Sequence, residues 1–128
     1  MNLNSNDLRP LYLQIAEGIE DDILKGILTE EAECYSQYQI SRQFNINPAT
    51  AAKGINVLVS EGILYKVRGL GMHISKGAKA MIQKKRKNQF FNETLRTIVM
   101  EASKLNISKE EIKSMIDDIT LSEKEEEL

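Results

Sequence analysis

The sequence predicts a mainly α fold with one small β-hairpin, and three observations predict it. Apolar residues recur every four positions at Leu11, Ile15, Ile19 and Ile23. Two helix-start signals, Ser36 with Gln39 and Asn47 with Pro48, open a short helix and, after a tight turn, a second apolar-periodic run. The segments Ile63-Leu64-Tyr65-Lys66-Val67 and Met72-His73-Ile74-Ser75 then favour strand on either side of Arg68-Gly69-Leu70-Gly71.

Residues 1–9 are polar and are expected to form a flexible N-terminus. From Pro10 the four-residue recurrence, with Tyr12 and Ala16 beside it, makes an amphipathic helix that Gly26 stops; Glu17, Glu20, Asp21 and Asp22 fill its other positions. Residues 27–35 read as connection. The Ser36/Gln39 capping box opens a short helix through Ile40 to Phe44. Asn45-Ile46-Asn47 is a tight turn. Asn47 suits an N-cap and Pro48 a first helical residue, so a second helix starts there and ends at Gly62. Ala51, Ile55 and Leu58 give it one buried face, flanked by Val59. The hairpin follows at once, its glycines supplying the positive φ of a tight loop. A helix-turn-helix followed by a hairpin is a winged helix, here predicted over 10–76.

The segment 77–120 is predicted to be a two-helix dimerisation segment. From Ala78 to Leu105 there is neither Pro nor Gly, and Phe91, Leu95, Ile98, Ala102 and Leu105 fall at the 4-3-4-3 spacing of a coiled-coil seam. Asn106 and Ser108 break the run. Ser108-Lys109-Glu110-Glu111 is a second capping box, opening a shorter helix with Ile112, Met115, Ile116 and Ile119. Residues 121–128 are acidic and expected to be disordered. The seam has two readings: it packs back on the winged domain, or it meets a second copy. The second is favoured, because half-site recognition needs two copies and a lone seam leaves an apolar helix face exposed.

Length and composition exclude several classes. With 128 residues, 41% apolar and 28% charged, the chain suits one packed domain with a short appendage. Aromatics are 5% and Trp is absent, which argues against an aromatic-lined sugar or peptide groove. No stretch approaches the roughly 18 to 20 apolar residues of a membrane span, and Met1–Asp7 lacks the features of a signal peptide. A cytoplasmic chain with no membrane partner is expected. One cysteine, Cys34, and one histidine, His73, exclude an internal disulfide, a Cys-based zinc site and any pair of imidazoles. Nothing local supports a Cys34–His73 nucleophile pair, and a buried thiol with a surface strand histidine is the favoured reading. No enzyme activity, catalytic residue, metal or cofactor is expected.

Net charge is −2, yet its placement is uneven. Between Gly62 and Lys87 lie eight basic residues (Lys66, Arg68, Lys76, Lys79, Lys84, Lys85, Arg86, Lys87) and no acidic one, while the rest of the chain carries nine basic and nineteen acidic groups. A concentrated basic block draws a polyanion whatever the sum. The run Lys84–Lys87 alone reads equally well as a solvated helix face; Lys66 and Arg68 beside two glycines favour phosphate contact.

Residues 10–75 resemble the winged-helix DNA-binding domain of the GntR family of bacterial transcription regulators. The matching stretches are Pro10-Leu11-Tyr12-Leu13-Gln14-Ile15-Ala16, Asn47-Pro48-Ala49-Thr50, Glu61-Gly62-Ile63-Leu64 and Arg68-Gly69-Leu70-Gly71. The short helical C-terminal part is similar to the YtrA-type subfamily, which lacks a large effector domain and dimerises through C-terminal helices. Three departures stand out: many members of the family have basic residues where this chain has Tyr38, Pro48 and Ala52, and Pro48 is itself similar to the YtrA-type variant. Tyr38 retains a hydroxyl for a phosphate, whereas Ala52 makes no charged contact, so Lys53 is the second helix's one basic side chain.

These readings converge on double-stranded DNA as partner. The start of the second helix (Asn47, Ala49, Thr50, Lys53) is the part that enters a major groove, with methyl groups for thymine, a hydroxyl and one cation. Arg68 with Gly69 and Gly71 suits a wing tip on a minor groove. Ser36 and Tyr38 complete the expected DNA-binding set. Taken singly, Ala49 and Thr50 also read as helix filling, and Arg68 as a surface arginine on a plain turn. The expected function is a homodimeric regulator, a repressor, on a pseudo-palindromic operator, with Phe91, Leu95, Ile98, Ala102 and Leu105 at the dimer seam. The alternative is a winged-helix protein-interaction scaffold without direct DNA readout. The sequence assigns no small-molecule effector.

Overall fold

The computed structural model describes residues 1–119. The helices are α1 (Leu11–Leu24), α2 (Gln37–Phe44), α3 (Pro48–Ser60), α4 (Ala78–Gln89), α5 (Arg96–Lys104) and α6 (Lys109–Asp118); strands β1 (Leu64–Val67) and β2 (Gly71–Ile74) lie between α3 and α4. A π-helical stretch, Phe90–Leu95, joins α4 to α5. The chain divides into two compact units, Met1–Lys85 and the residues from Arg86 onward. The acidic tail expected to be disordered, 121–128, lies outside the described residues.

The first unit is a winged helix built on one core. Ile15, Ile19 and Ile23 of α1 meet Ile40 of α2, Ala51, Ile55 and Leu58 of α3, and Ile63, Leu64 and Ile74 of the hairpin. These are the positions marked by the four-residue recurrence in α1 and α3, and each large aliphatic so buried contributes about 1.5–3 kcal/mol. The first unit runs past residue 76, because Ala78 and Ile82 of α4 are fully buried in the same core. The α1–α3 crossing is tight. A Cβ at Gly54 would lie 2.7 Å from the Tyr12 carbonyl oxygen and 2.9 Å from Ile15 Cγ2.

Three local features add to the sequence reading. Glu20 and Asp22, read as part of the polar side of α1, are buried: Glu20 pairs with Lys85, and Asp22 accepts the Tyr35 hydroxyl at 2.5 Å and stands 3.3 Å from the Met1 ammonium. Burial and the Asp22 bond push the Tyr35 hydroxyl well above the usual phenol range. Within residues 1–9, Met1 and Leu3 lie against the core, whereas Leu8 is exposed. Arg9 there bridges Asp7 (2.6 Å) and Glu17 (2.5 Å) and holds the Asp7 carboxyl below its ordinary range. Residues 27–35, read as connection, pair with β2: Glu31 N–H donates to Ile74 O, Ile74 N–H to Ala32 O and Cys34 N–H to Met72 O. That satisfies the edge of β2 left over by the antiparallel β1–β2 ladder, in which Leu64 faces Ile74 and Val67 faces Gly71.

Candidate nucleic-acid interface

Helix α2 starts on the expected capping box. The Ser36 hydroxyl accepts the Gln39 N–H at 3.1 Å, and the Gln39 side chain takes the Ser36 N–H at 2.8 Å. Asn45 ends α2 in the left-handed region (φ +52°), which Asn tolerates, and Ser41 donates to Ile46 O across the turn. The Asn47 side-chain oxygen accepts the Ala49 N–H at 2.8 Å, so that oxygen serves the cap. The cap leaves Ala49 and Lys53 exposed and Thr50 half-buried on α3, and Tyr38 is exposed on α2. The Lys53 ammonium lies 4.1 Å from the centroid of the Tyr12 ring.

The wing tip is an exposed turn through Arg68, Gly69 and Leu70, closed by Leu70 N–H to Val67 O at 2.9 Å. Gly69 (φ +79°) and Gly71 (φ +80°) hold a backbone that L side chains rarely adopt. Space is not the reason at Gly69, where an added Cβ meets nothing within 4 Å; at Gly71 it would stand 3.6 Å from a Glu33 carboxylate oxygen. That carboxylate sets a negative charge beside the Gly71 end of the turn, while Arg68 and Lys66 are exposed. All nine residues expected to face DNA belong to the first unit.

The basic block divides on inspection. Lys66, Arg68, Lys76, Lys79, Lys84 and Lys87 are exposed, whereas Lys85 is used inside the first unit. Its ammonium pairs with Glu20 and with Glu61 (2.7 Å). Burial works against its charge, but the bonds to Glu20 and Glu61 prevail and raise its pKa. Cys34 is buried, and burial pushes its thiol up to about 12, so it holds its proton at neutral pH and makes a poor nucleophile. His73 is half-buried in β2, its ring 5.9 Å from that of Tyr65.

The second unit holds an open apolar groove of about 480 Å³. Leu95, Ile98, Ala102 and Leu105 line one side; Ile112, Met115, Ile116 and Ile119 line the other. Ser108 caps α6 by accepting the Glu111 N–H at 3.1 Å. Four of the five expected seam residues thus share one groove. Phe91 does not line it and is 62% exposed. The π-helical stretch explains the split: its wider turn shifts the phase between Phe91 and the residues that follow.

Two residues of the first unit escaped the sequence reading. Arg42 is exposed in the last turn of α2, where its cation also suits the helix C-terminus; its position just before the turn was the available signal. Tyr12 carried no local signal, because its partner Lys53 lies on another helix.

The fold is that of a winged helix-turn-helix protein. No family model matches the chain. A GntR-family regulator of Bacteroides thetaiotaomicron is 35% identical, superposes with a TM-score of 0.71, and is covered over 94% of its length by 84% of this chain. The chain belongs to the GntR family of transcription regulators. The repressor YtrA of Bacillus subtilis is 28% identical over 87% of this chain and 85% of its own, so the likeness takes in the C-terminal helices. The repressor NagR of the same organism is 34% identical over 76 residues, but the match spans only 31% of NagR. The DNA-binding domain of AraR, solved in complex with an operator, is 31% identical and covers 59% of this chain with a TM-score of 0.51. Among the described residues no helix is long and apolar enough to cross a membrane.

Proposed function

We propose that the protein is a transcription repressor that binds a pseudo-palindromic operator as a homodimer. Each copy lays the start of α3 in a major groove and the Arg68 wing on the neighbouring minor groove. The observation that carries this reading is the outward face of α3, with Ala49 and Lys53 exposed beside Thr50 on a properly capped helix. The likeness to an operator-bound AraR domain supports it. The proposed division of labour gives DNA reading to the first unit, which runs on from 76 to Lys85, and dimerisation to the unit that follows.

The homodimer rests on the groove of the second unit. Leu105, Ile116 and Ile119 are each more than half exposed there, an apolar surface that a second copy would cover. Selection of bound sequences from random duplex DNA tests the function and reads the operator; two inverted half-sites are expected. Retention that falls steeply with salt separates a phosphate binder from a protein-interaction scaffold. A chain that enriches no sequence, or that sediments as a monomer at micromolar concentration, overturns the corresponding half of the reading.

A further inference from the structure

The recognition helix α3 has one basic side chain, Lys53, and its ammonium stands 4.1 Å from the centroid of the Tyr12 ring on α1. The neighbouring residue explains the meeting. Gly54 lets α3 approach so closely that a Cβ there would lie 2.7 Å from the Tyr12 carbonyl oxygen. Glycine is unfavourable inside a helix, so its presence at 54 suits this close approach and little else. With the backbones in contact at Gly54 and Tyr12, the side chain of residue 53 leaves α3 directly over the Tyr12 ring. A lysine is a point charge on a flexible four-carbon stem and loses much rotamer freedom when it docks on a phosphate. A ring face beneath the ammonium attracts it and restricts that freedom beforehand.

We propose that Tyr12 is a positioning residue of the DNA interface: its ring holds the Lys53 ammonium where α3 meets the phosphate backbone. The proposal rests on the DNA-binding reading above and adds a residue of α1 to that surface. Tyr12 acts through Lys53, so its effect on binding exists only while Lys53 is present. Removing the ring loses about two- to fivefold in affinity, the size of a cation–π contact at an exposed site. Tyr12→Phe keeps the ring face and keeps the affinity.

The test is a double-mutant cycle on a duplex recovered from the random-sequence selection, with Tyr12→Leu and Lys53→Ala alone and together. The expected result is a two- to fivefold loss for Tyr12→Leu in the wild-type background, none in the Lys53→Ala background, and wild-type affinity for Tyr12→Phe. Equal losses in both backgrounds, or none in either, overturn the proposal. Should Tyr12→Leu fail to fold, phenylalanines with one to three ring fluorines at position 12 weaken the ring's attraction at nearly constant shape. Affinity must then fall stepwise with fluorination, and a flat series overturns the proposal. In the DNA-free protein, the Lys53 ε-methylene protons are expected upfield in wild type and Tyr12→Phe and at ordinary shifts in Tyr12→Leu; ordinary shifts in wild type also overturn it. A wild type that binds no selected duplex overturns the DNA-binding reading instead, and the proton shifts still report the contact.

Discussion

Lys85 and Glu61 meet at 2.7 Å at the foot of α4, and the same ammonium pairs with Glu20, whose side chain is 2% exposed. A cation of the basic block is therefore a structural tie between α1, α3 and α4. Removing the ammonium takes an opposite charge away from a buried carboxylate, which is unfavourable even though Lys85 and Glu61 themselves stay partly exposed. Lys85→Ala should lower stability, read as an earlier urea denaturation midpoint. The salt slope of DNA binding should not move. A variant of wild-type stability whose salt slope falls by one would reverse the assignment.

The same interior predicts an alkaline limit. Cys34 has its pKa raised from 9.0 to about 12 by burial. The unfolded chain therefore releases this proton first, and stability is intact below pH 9 and declines as pH rises from 9 toward 12. Lys85, also raised, adds a further loss above 10.5, where the unfolded amine gives up its proton before the folded one. Thermal melts between pH 7 and 11 check this. Wild type should lose melting temperature from pH 9 upward, and Cys34→Ala should show a smaller decline over the same interval. Identical pH profiles would remove Cys34 from the account.

For DNA, the wing and the helix should fail in different ways. Arg68→Ala should weaken all sequences together by about 1–3 kcal/mol, as loss of a charged contact does, and lower the salt slope by about one. Thr50→Val should instead relax preference at one or two operator positions, by about 1–3 kcal/mol where Thr50 meets a base. Binding measured across a library of single-base operator variants distinguishes the two. A uniform loss for Thr50→Val would make that residue structural.

At the groove of the second unit, Leu95→Glu should place a carboxylate among apolar side chains and split the proposed dimer. Loss of the second attachment should then weaken operator binding by well over the effect on a single half-site. Sedimentation velocity and titration against whole and half operators read both effects. Phe91→Ser, outside the groove, should perturb the dimer less than Leu95→Glu; the reverse order would place the interface on the Phe91 side.

Local signals carried most of this into view. The recurrence from Leu11 to Ile23, the Ser36/Gln39 box and the Asn47-Pro48 start each act over a few residues, and the structure contains the elements they specify. What stayed hidden depends on partners distant in the chain. Glu20 and Asp22 look like solvent-facing acids until Lys85 and Tyr35 arrive. The edge pairing of residues 31–34 requires β2 to be in place. Tyr12 meets Lys53 only when Gly54 brings α3 against α1. The π-helical turn has a different reason: a spacing of four between Phe91 and Leu95 fits a regular helix equally well.

The internal use of Lys85 also bears on how such a protein would search a chromosome. Each cation withheld from the surface is one fewer counterion released on random DNA, and affinity for random sequence scales with that number. With Lys85 held by Glu20 and Glu61, the chain should hold bulk DNA less tightly than its count of basic residues suggests. Fewer copies would then be sequestered at the many competing sites, so occupancy of an operator would depend more on the proposed groove contacts at Thr50 and its neighbours than on charge. A fold that keeps one lysine for itself gives up some grip and gains a larger free pool.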